Sequence, residues 1–281
     1  MRLKVLSDNR KLHDVLEKEH GLCIYLETGK YKCLLDVGAS GKFIHNAEQM
    51  EIEIEDIDYV FISHGHSDHI GGLEPFLKRN TKAKIVLSKN ALTQQFFSVR
   101  NGLRDLSSKA DIQGHESRFV FVDSKTVFED DIQVFPCQSC FYPIPKANKT
   151  LMKENNGELV ADDFNHELIV CFGIKDDVVV YSGCAHCGIL NILDSVKQVL
   201  NRPVSVLIGG FHLLDGYEGQ YETEDEINKI VEQLNVDFPE TRFYTGHCTG
   251  EGVYSLLKKK LNGRLSWFYT GFVVSINKIT D

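Results

Sequence analysis

The sequence predicts an α/β protein whose chemistry sits along one edge of a largely parallel sheet. Three observations carry that prediction. Short runs rich in Val, Ile and Leu alternate with segments of helical periodicity, the pattern of successive β-α-β units. Several of those runs end in glycine with a histidine within three positions. The most concentrated case is the stretch VFISHGHSDHIGG at 60–72, where an apolar strand runs into His64, His66, Asp68 and His69 and then Gly71 and Gly72. Strand ends of this kind are where an open α/β sheet holds its ligands.

Taken in order, residues 22–26 and 33–37 are predicted strands of a hairpin that turns at Gly29 and Lys30. The glycine-containing turn at 38–41 lacks both a P-loop lysine pattern and a dinucleotide fingerprint, so Asp36 and its small neighbours are assigned to the floor of the site. A helix over 43–50 leads through 54–58 to the strand 59–62. A helix over 73–78 and a strand over 83–88 complete a β-α-β unit. Residues 89–115 read as a polar surface excursion, and 118–122 and 126–134 as two antiparallel strands. From 135 to 165, three prolines, the basic residues Lys146, Lys149 and Lys153, and a lack of periodicity predict a long loop that walls a substrate pocket.

The second half repeats this architecture without repeating its sequence, so residues 1–281 are expected to form a single domain of two similar halves. A hairpin over 166–173 and 177–181 ends in Ser182-Gly183-Cys184-Ala185-His186-Cys187-Gly188, followed by a helix over 189–200. The strand 204–208 ends in Gly209-Gly210-Phe211-His212, and an amphipathic helix covers 222–234. The strand 241–245 ends in Gly246-His247-Cys248-Thr249-Gly250, followed by a helix over 251–261 and closing strands to Ile276. His186, His212 and His247 therefore converge with the first cluster on one crevice.

Three imidazoles and a carboxylate within six positions repel one another when protonated and must be satisfied, and a metal ion satisfies them together. Neutral imidazole and carboxylate suit zinc, and also iron, manganese or cobalt. His64 and His66 point together if the chain is still strand-like or tightly turned there. Asp68 and His69 lie beyond the turn and address a second position, which makes a two-metal centre natural. Gly71 and Gly72 let the following backbone approach closely.

A net charge of −9 gives no reason to expect nucleic acid as a partner. The start of the chain turns polar before a signal-peptide core can form, and no window reaches membrane-spanning length without charge. A cytoplasmic protein with no membrane partner is the expectation, its oligomeric state open. Eight cysteines in a chain this long are expected to be reduced thiols. The pairs Cys137/Cys140 and Cys184/Cys187 are both spaced as CxxC and would form a structural zinc site if the two segments met.

The assembled motifs resemble the metallo-β-lactamase superfamily. The segments around Cys184, His212 and His247 look more narrowly like the subgroup of dihydropterin-ribofuranosylaminobenzene phosphate synthase-like proteins. The resemblance implies a four-layer αββα sandwich with the metal centre between the upper edges of two sheets. It implies that His64 and His66 hold a first metal, and that Asp68, His69 and His247 hold a second. Where the superfamily offers a bridging aspartate, this chain has Cys184, which is either a thiolate ligand or a packed thiol. His186 is the expected third ligand of the first metal, with His166 the alternative.

The expected cofactor is one or two divalent ions, zinc first, with iron or manganese as alternatives. The expected activity is hydrolysis, by a metal-activated water, of a small phosphoester, phosphodiester or related anionic metabolite. Asp68 would orient that water and accept its proton, and His212 would donate to the oxyanion or leaving group. Lys146, Lys149 and Lys153 are candidates to attract a phosphate. Alternative readings are a pterin-pathway synthase, a di-iron oxidoreductase, or a non-catalytic metal or ligand sensor.

Overall fold

The computed structural model describes residues 1–216 and 221–277. The first half runs β1 (Arg2–Ser7), β2 (Cys23–Glu27), β3 (Lys32–Leu35), α1 (Lys42–Gln49), β4 (Tyr59–Phe61), α2 (Ser67–Ile70), α3 (Leu73–Arg79) and β5 (Lys84–Leu87). It continues through α4 (Asn90–Thr93), β6 (Phe96–Ser98), β7 (Arg104–Asp105) and β8 (Phe119–Phe121). Next come β9 (Thr126–Phe128), β10 (Ile132–Pro136), β11 (Leu151–Asn155), β12 (Glu158–Ala161), β13 (Leu168–Ile174) and β14 (Asp177–Tyr181). The chain closes with α5 (Ile189–Leu200), β15 (Val204–Ile208), α6 (Glu224–Asp237), β16 (Arg242–Thr245), α7 (Glu251–Lys260), β17 (Leu265–Trp267) and β18 (Val273–Ser275).

Two seven-stranded sheets form the body, in the orders β18-β1-β2-β3-β4-β5-β8 and β17-β16-β15-β14-β13-β10-β9. Period-two alternation decides which side each residue faces. In β4, Val60 faces α1 and α3 beside Phe43 and Phe76, while Phe61 faces the other sheet. In β14, Val178 and Val180 pack under α5, α6 and α7 with Ile192, Val231 and Leu257. Val179 and Tyr181 of the same strand enter the core between the sheets. Three apolar cores separating four layers make the αββα sandwich that the sequence predicts.

Strands β3, β4 and β5 run parallel, as do β14, β15 and β16. Their C-terminal ends therefore open toward a common crevice. Gly71 and Gly72 act as expected: a β-carbon on Gly72 would lie 2.0 Å from the Val37 carbonyl oxygen. Gly183, at the end of β14, has φ +56°, and a β-carbon there would meet Ser63 Oγ at 2.1 Å. This glycine lets the two sheet edges touch directly beside His64.

Several expectations are corrected. Arg2–Ser7 is a further strand, not assigned from the sequence, in which Leu3 and Val5 alternate with Arg2 and Lys4, pair with β2 and fill the inter-sheet core. The 126–134 strand is two, β9 and β10, folded back through Asp130 and Asp131, both at positive φ. They belong to the second sheet, whereas β8 is the parallel edge of the first, so β8 and β9 are not a pair. The 135–165 loop contains the hairpin β11–β12, which turns at Asn156-Gly157. Its strands are largely half-exposed and so lack an apolar period, although Asn-Gly is itself a hairpin signal. With β6 and β7, from the predicted surface excursion, they form a four-stranded sheet.

The inter-sheet core should dominate stability. Phe61 and Phe172 meet edge to face across it, with ring centroids 5.8 Å apart. Phe172→Ala should lower the free energy of unfolding by about 3–5 kcal/mol in urea denaturation; a loss below about 1 kcal/mol would contradict this packing.

Candidate metal centre

The site begins with Asp36, fully buried just past β3 at φ +58°. Its Oδ1 accepts from the Ser63 backbone N–H at 2.7 Å. Its Oδ2 accepts from Ser63 Oγ at 2.7 Å and Tyr181 Oη at 2.5 Å, and faces His69 Nδ1 at 2.5 Å. The contact to His69 assigns the proton to Nδ1 and turns the Nε2 lone pair into the crevice. Ser63 Oγ, having donated to Asp36, accepts from His64 Nδ1 at 2.8 Å. The assignment of Asp36 to the floor of the site holds.

His186 and His247 are held by matching devices. Asn148 Nδ2 donates to the His186 carbonyl at 2.8 Å while its Oδ1 faces His186 Nδ1 at 3.1 Å. Asn9 Nδ2 donates to the His247 carbonyl at 2.9 Å while its Oδ1 faces His247 Nδ1 at 3.2 Å. Asn148 thus fixes a His186 tautomer with the Nε2 lone pair free, as supporting hydrogen bonds do for metal-binding histidines, and Asn9 directs His247 Nε2 toward Asp68. The Phe164 ring stacks on His186 at 4.6 Å between centroids. The buried Glu167 carboxylate accepts from the backbone N–H groups of His186 and Cys187 at 2.7 and 2.8 Å.

Two donor sets result. His64, His66 and His186 each bring a ligand atom within 4.8 Å of the others. In the second set, His69 Nε2 lies 3.1 Å from His247 Nε2, and His247 Nε2 lies 3.2 Å from Asp68 Oδ2. Cys184 stands between them: its Sγ is 3.0 Å from His69 Nε2 and also groups with His64 and with His186. Asp36, Ala185, His212 and His247 all have positive φ, a clustering of strain typical of functional sites.

The donors fit a divalent cation. Among the described residues, Nε2 of His64 and of His186 are buried without any hydrogen-bond partner, a costly state for a polar atom. Burial first, then the neighbouring imidazoles, holds both histidines well below their ordinary pKa, so they are neutral with lone pairs available. Burial, then the Cys248 thiol, pushes the Cys184 thiol well up, and a bound cation would reverse that shift. Burial alone would raise Asp68, but the attraction of His69 and the hydrogen bond from His247 hold its carboxyl well below the usual range. Burial likewise opposes charge on His247, and Asp68 outweighs it, raising His247 to about 9. A proton thus sits between Asp68 and His247 where a cation would replace it.

The six expected metal-site residues are brought together, and His166 is not a candidate ligand. Its Nδ1 accepts from the Gly65 N–H at 2.9 Å and its Nε2 faces Asp162 Oδ2 at 3.1 Å, so both nitrogens are committed to bracing the 64–66 turn. The four-cysteine site does not assemble, because Cys184 joins the histidines while Cys140 is exposed. His212 lines the same crevice, with its ring 4.4 Å from that of His186 and both ring nitrogens buried without partners. Lys146 pairs with Glu226 at 2.6 Å and Lys153 with Asp163 at 2.6 Å, and none of the three lysines lines the crevice. Leu151, from the expected loop, does line it.

Sequence reasoning missed His20, whose Nε2 lies 3.3 Å from Asp68 Oδ2 and whose ring stacks on His247 at 5.1 Å. It also missed Asn9, Asn148, Asp162 and Glu167. Each lies among other polar residues that share no spacing pattern, so only tertiary contact singles it out. The crevice has a volume of about 370 Å³, and Arg100 and Arg104 stand in its wall.

A sequence model described as the metallo-beta-lactamase superfamily matches residues 17–237. The chain is 25% identical to a Methanocaldococcus jannaschii protein named 7,8-dihydropterin-6-methyl-4-(beta-D-ribofuranosyl)-aminobenzene-5'-phosphate synthase, over 95% of this chain and 97% of that one. Among solved structures, Tm1679, described as a metal-dependent hydrolase of the beta-lactamase superfamily, aligns with a TM-score of 0.82 and 29% identity over 99% of this chain and 100% of its own. A diphosphatase from the PhnP family shares the fold at a TM-score of 0.52 and 10% identity, over 98% of each chain.

The paired asparagines generate a measurable expectation. Asn148→Ala and Asn9→Ala should each weaken zinc affinity about 10- to 100-fold, as removal of such supporting groups does, in competition titrations against a chromophoric chelator. Unchanged affinity in both variants would show that the histidines need no such support.

Proposed function

Because the chain belongs to the metallo-beta-lactamase superfamily, we propose that it is a metal-dependent hydrolase acting on a small phosphoester, phosphodiester or related anionic metabolite. The observation that carries this reading is a pair of donor sets sharing Cys184 at the base of a cavity of about 370 Å³ whose wall holds two arginines. Among the described residues, neither Arg100 nor Arg104 pairs with a carboxylate; the Arg100 guanidinium lies 5.8 Å from the Tyr221 ring centroid. Two uncommitted guanidiniums beside a cation site suit a phosphate, which each can grip through two parallel N–H donors. They take the role that the sequence suggested for Lys146, Lys149 and Lys153.

His64, His66 and His186 would hold one ion and Asp68, His69 and His247 the other, with the Cys184 thiolate common to both. Imidazole, carboxylate and thiolate together suit zinc, with iron or manganese as alternatives. Such ions supply an acidified water and polarise a phosphoryl oxygen. Asp68, kept ionised by its neighbours, orients the attacking water and takes up its proton. His212, which lines the cavity beside His186, would donate a proton to the leaving oxygen. Arg100 and Arg104 hold the substrate's remaining oxygens.

All eight cysteines are unpaired, which supports a reducing, cytoplasmic setting. Among the described residues no helix is long and apolar enough to cross a membrane. A second reading, a synthase resembling the Methanocaldococcus jannaschii relative, is favoured by the near-complete coverage of both chains. It uses the same anion anchors and differs in not releasing a simple hydrolysis product.

Zinc-loaded protein should release p-nitrophenol from p-nitrophenyl phosphate or its bis ester, and His64→Ala should abolish that release. Arg104→Ala should raise KM about tenfold or more with little change in kcat, the worth of a lost charge-assisted contact. It should leave hydrolysis of an uncharged lactone, where present, unaffected. Equal rates for wild type and His64→Ala on every phosphoester would sink the hydrolase reading; an unaltered KM in Arg104→Ala would remove only the anchor.

A further inference from the structure

A second cavity, of about 240 Å³, lies between the segment 142–146 and helices α5 and α6. Among the described residues, it shares no lining residue with the metal crevice. The two lie on either side of one short segment: Phe211 and Leu213 line this cavity, whereas His212 between them lines the other. Its walls are mainly apolar, built from Tyr142, Ile144, Leu190, Phe211, Leu213 and Ile230. Aromatic side chains on two of its walls favour a flat, ring-bearing occupant. The volume admits one or two fused rings rather than a larger ligand.

One polar group in this lining is unfinished. Glu222 lines the cavity, and its Oε1 accepts from the Lys146 backbone N–H at 2.6 Å. Among the described residues, its Oε2 is buried with no hydrogen-bond partner. The adjacent ammonium does not serve it, because Lys146 Nζ is taken by Glu226 at 2.6 Å. A buried acceptor left unmade costs free energy that a donor in the cavity would restore. Lys146 and Lys229 balance Glu222 and Glu226 in the lining, so what selects an occupant is the unmet Oε2, which favours an N–H donor, and a charged planar edge can reach the second lone pair of Oε1 as well.

We propose that this cavity is a second ligand site, binding a flat heteroaromatic molecule through stacking on its apolar walls and an amidine-like aminated edge against Glu222. It stands whatever the substrate at the metals is, since the two sites share no side chain.

The probe is 2-aminobenzimidazole, a two-ring molecule with such an edge, titrated into full-length zinc-loaded protein by calorimetry and ligand-observed NMR. Saturable one-to-one binding is expected. Glu222→Gln should weaken it about tenfold or more, the worth of a charge-assisted hydrogen bond. Leu190→Trp, which fills the slot, should abolish it; Ile230→Trp does the same at the half-buried wall if the first variant disturbs folding. His64→Ala should bind the probe as wild type does, which separates this site from the metal crevice. Absence of saturable binding up to the solubility limit of the probe, or equal affinity in Glu222→Gln and the tryptophan variants, would overturn the proposal.

Discussion

The buried carboxylate of Asp36 is the contact on which the remaining site geometry rests. It gathers Ser63 and His69 from beyond β4 and Tyr181 from β14, so one side chain joins the edges of both sheets. Ser63 in turn orients His64, so each donor set contains a histidine positioned by Asp36 directly or at one remove. Gly183 makes this possible, because no side chain could stand between Ser63 and the end of β14. A carboxylate buried this deeply is tolerable only when its oxygens are satisfied, and four donors satisfy these.

Electrostatics give the crevice its character. The rings of His64 and His186, 4.9 Å apart between centroids, are held neutral first by burial and then by their imidazole neighbours. Their unpartnered nitrogens and the raised Cys184 thiol describe a site whose polar groups are mutually incomplete. A cation completes them. Such a site couples ion binding to folding stability, because the ion binds the assembled donors and not the dispersed chain.

Much of this was legible in the sequence where the signal was local or repeated. His64, His66, Asp68 and His69 sit within six positions, and His186, His212 and His247 share a strand-to-glycine-to-histidine pattern, so strand ends alone predicted their convergence. Helix α5 has the predicted bounds because its apolar face is strongly periodic and Asn201 closes it in the left-handed conformation. Illegible were the residues that act at long range. Asn9 reaches a histidine 238 positions away and Asn148 one 38 positions away, with nothing nearby in sequence to mark them. Charge in sequence says nothing about partners already taken: Lys146 is held by Glu226 and Lys153 by Asp163. Arg100 and Arg104 lie in an excursion where β6 pairs with the distant β11 and β7 pairs with β6, contacts that the local sequence does not announce.

The central claim is that Cys184 serves both donor sets. Anomalous diffraction from zinc-loaded crystals, collected on both sides of the zinc absorption edge, tests it most directly. Two ions per chain are expected, one held by His64, His66 and His186, the other by Asp68, His69 and His247, with Cys184 Sγ bound to both. A single ion, or two ions with Cys184 Sγ bound to neither, would contradict it.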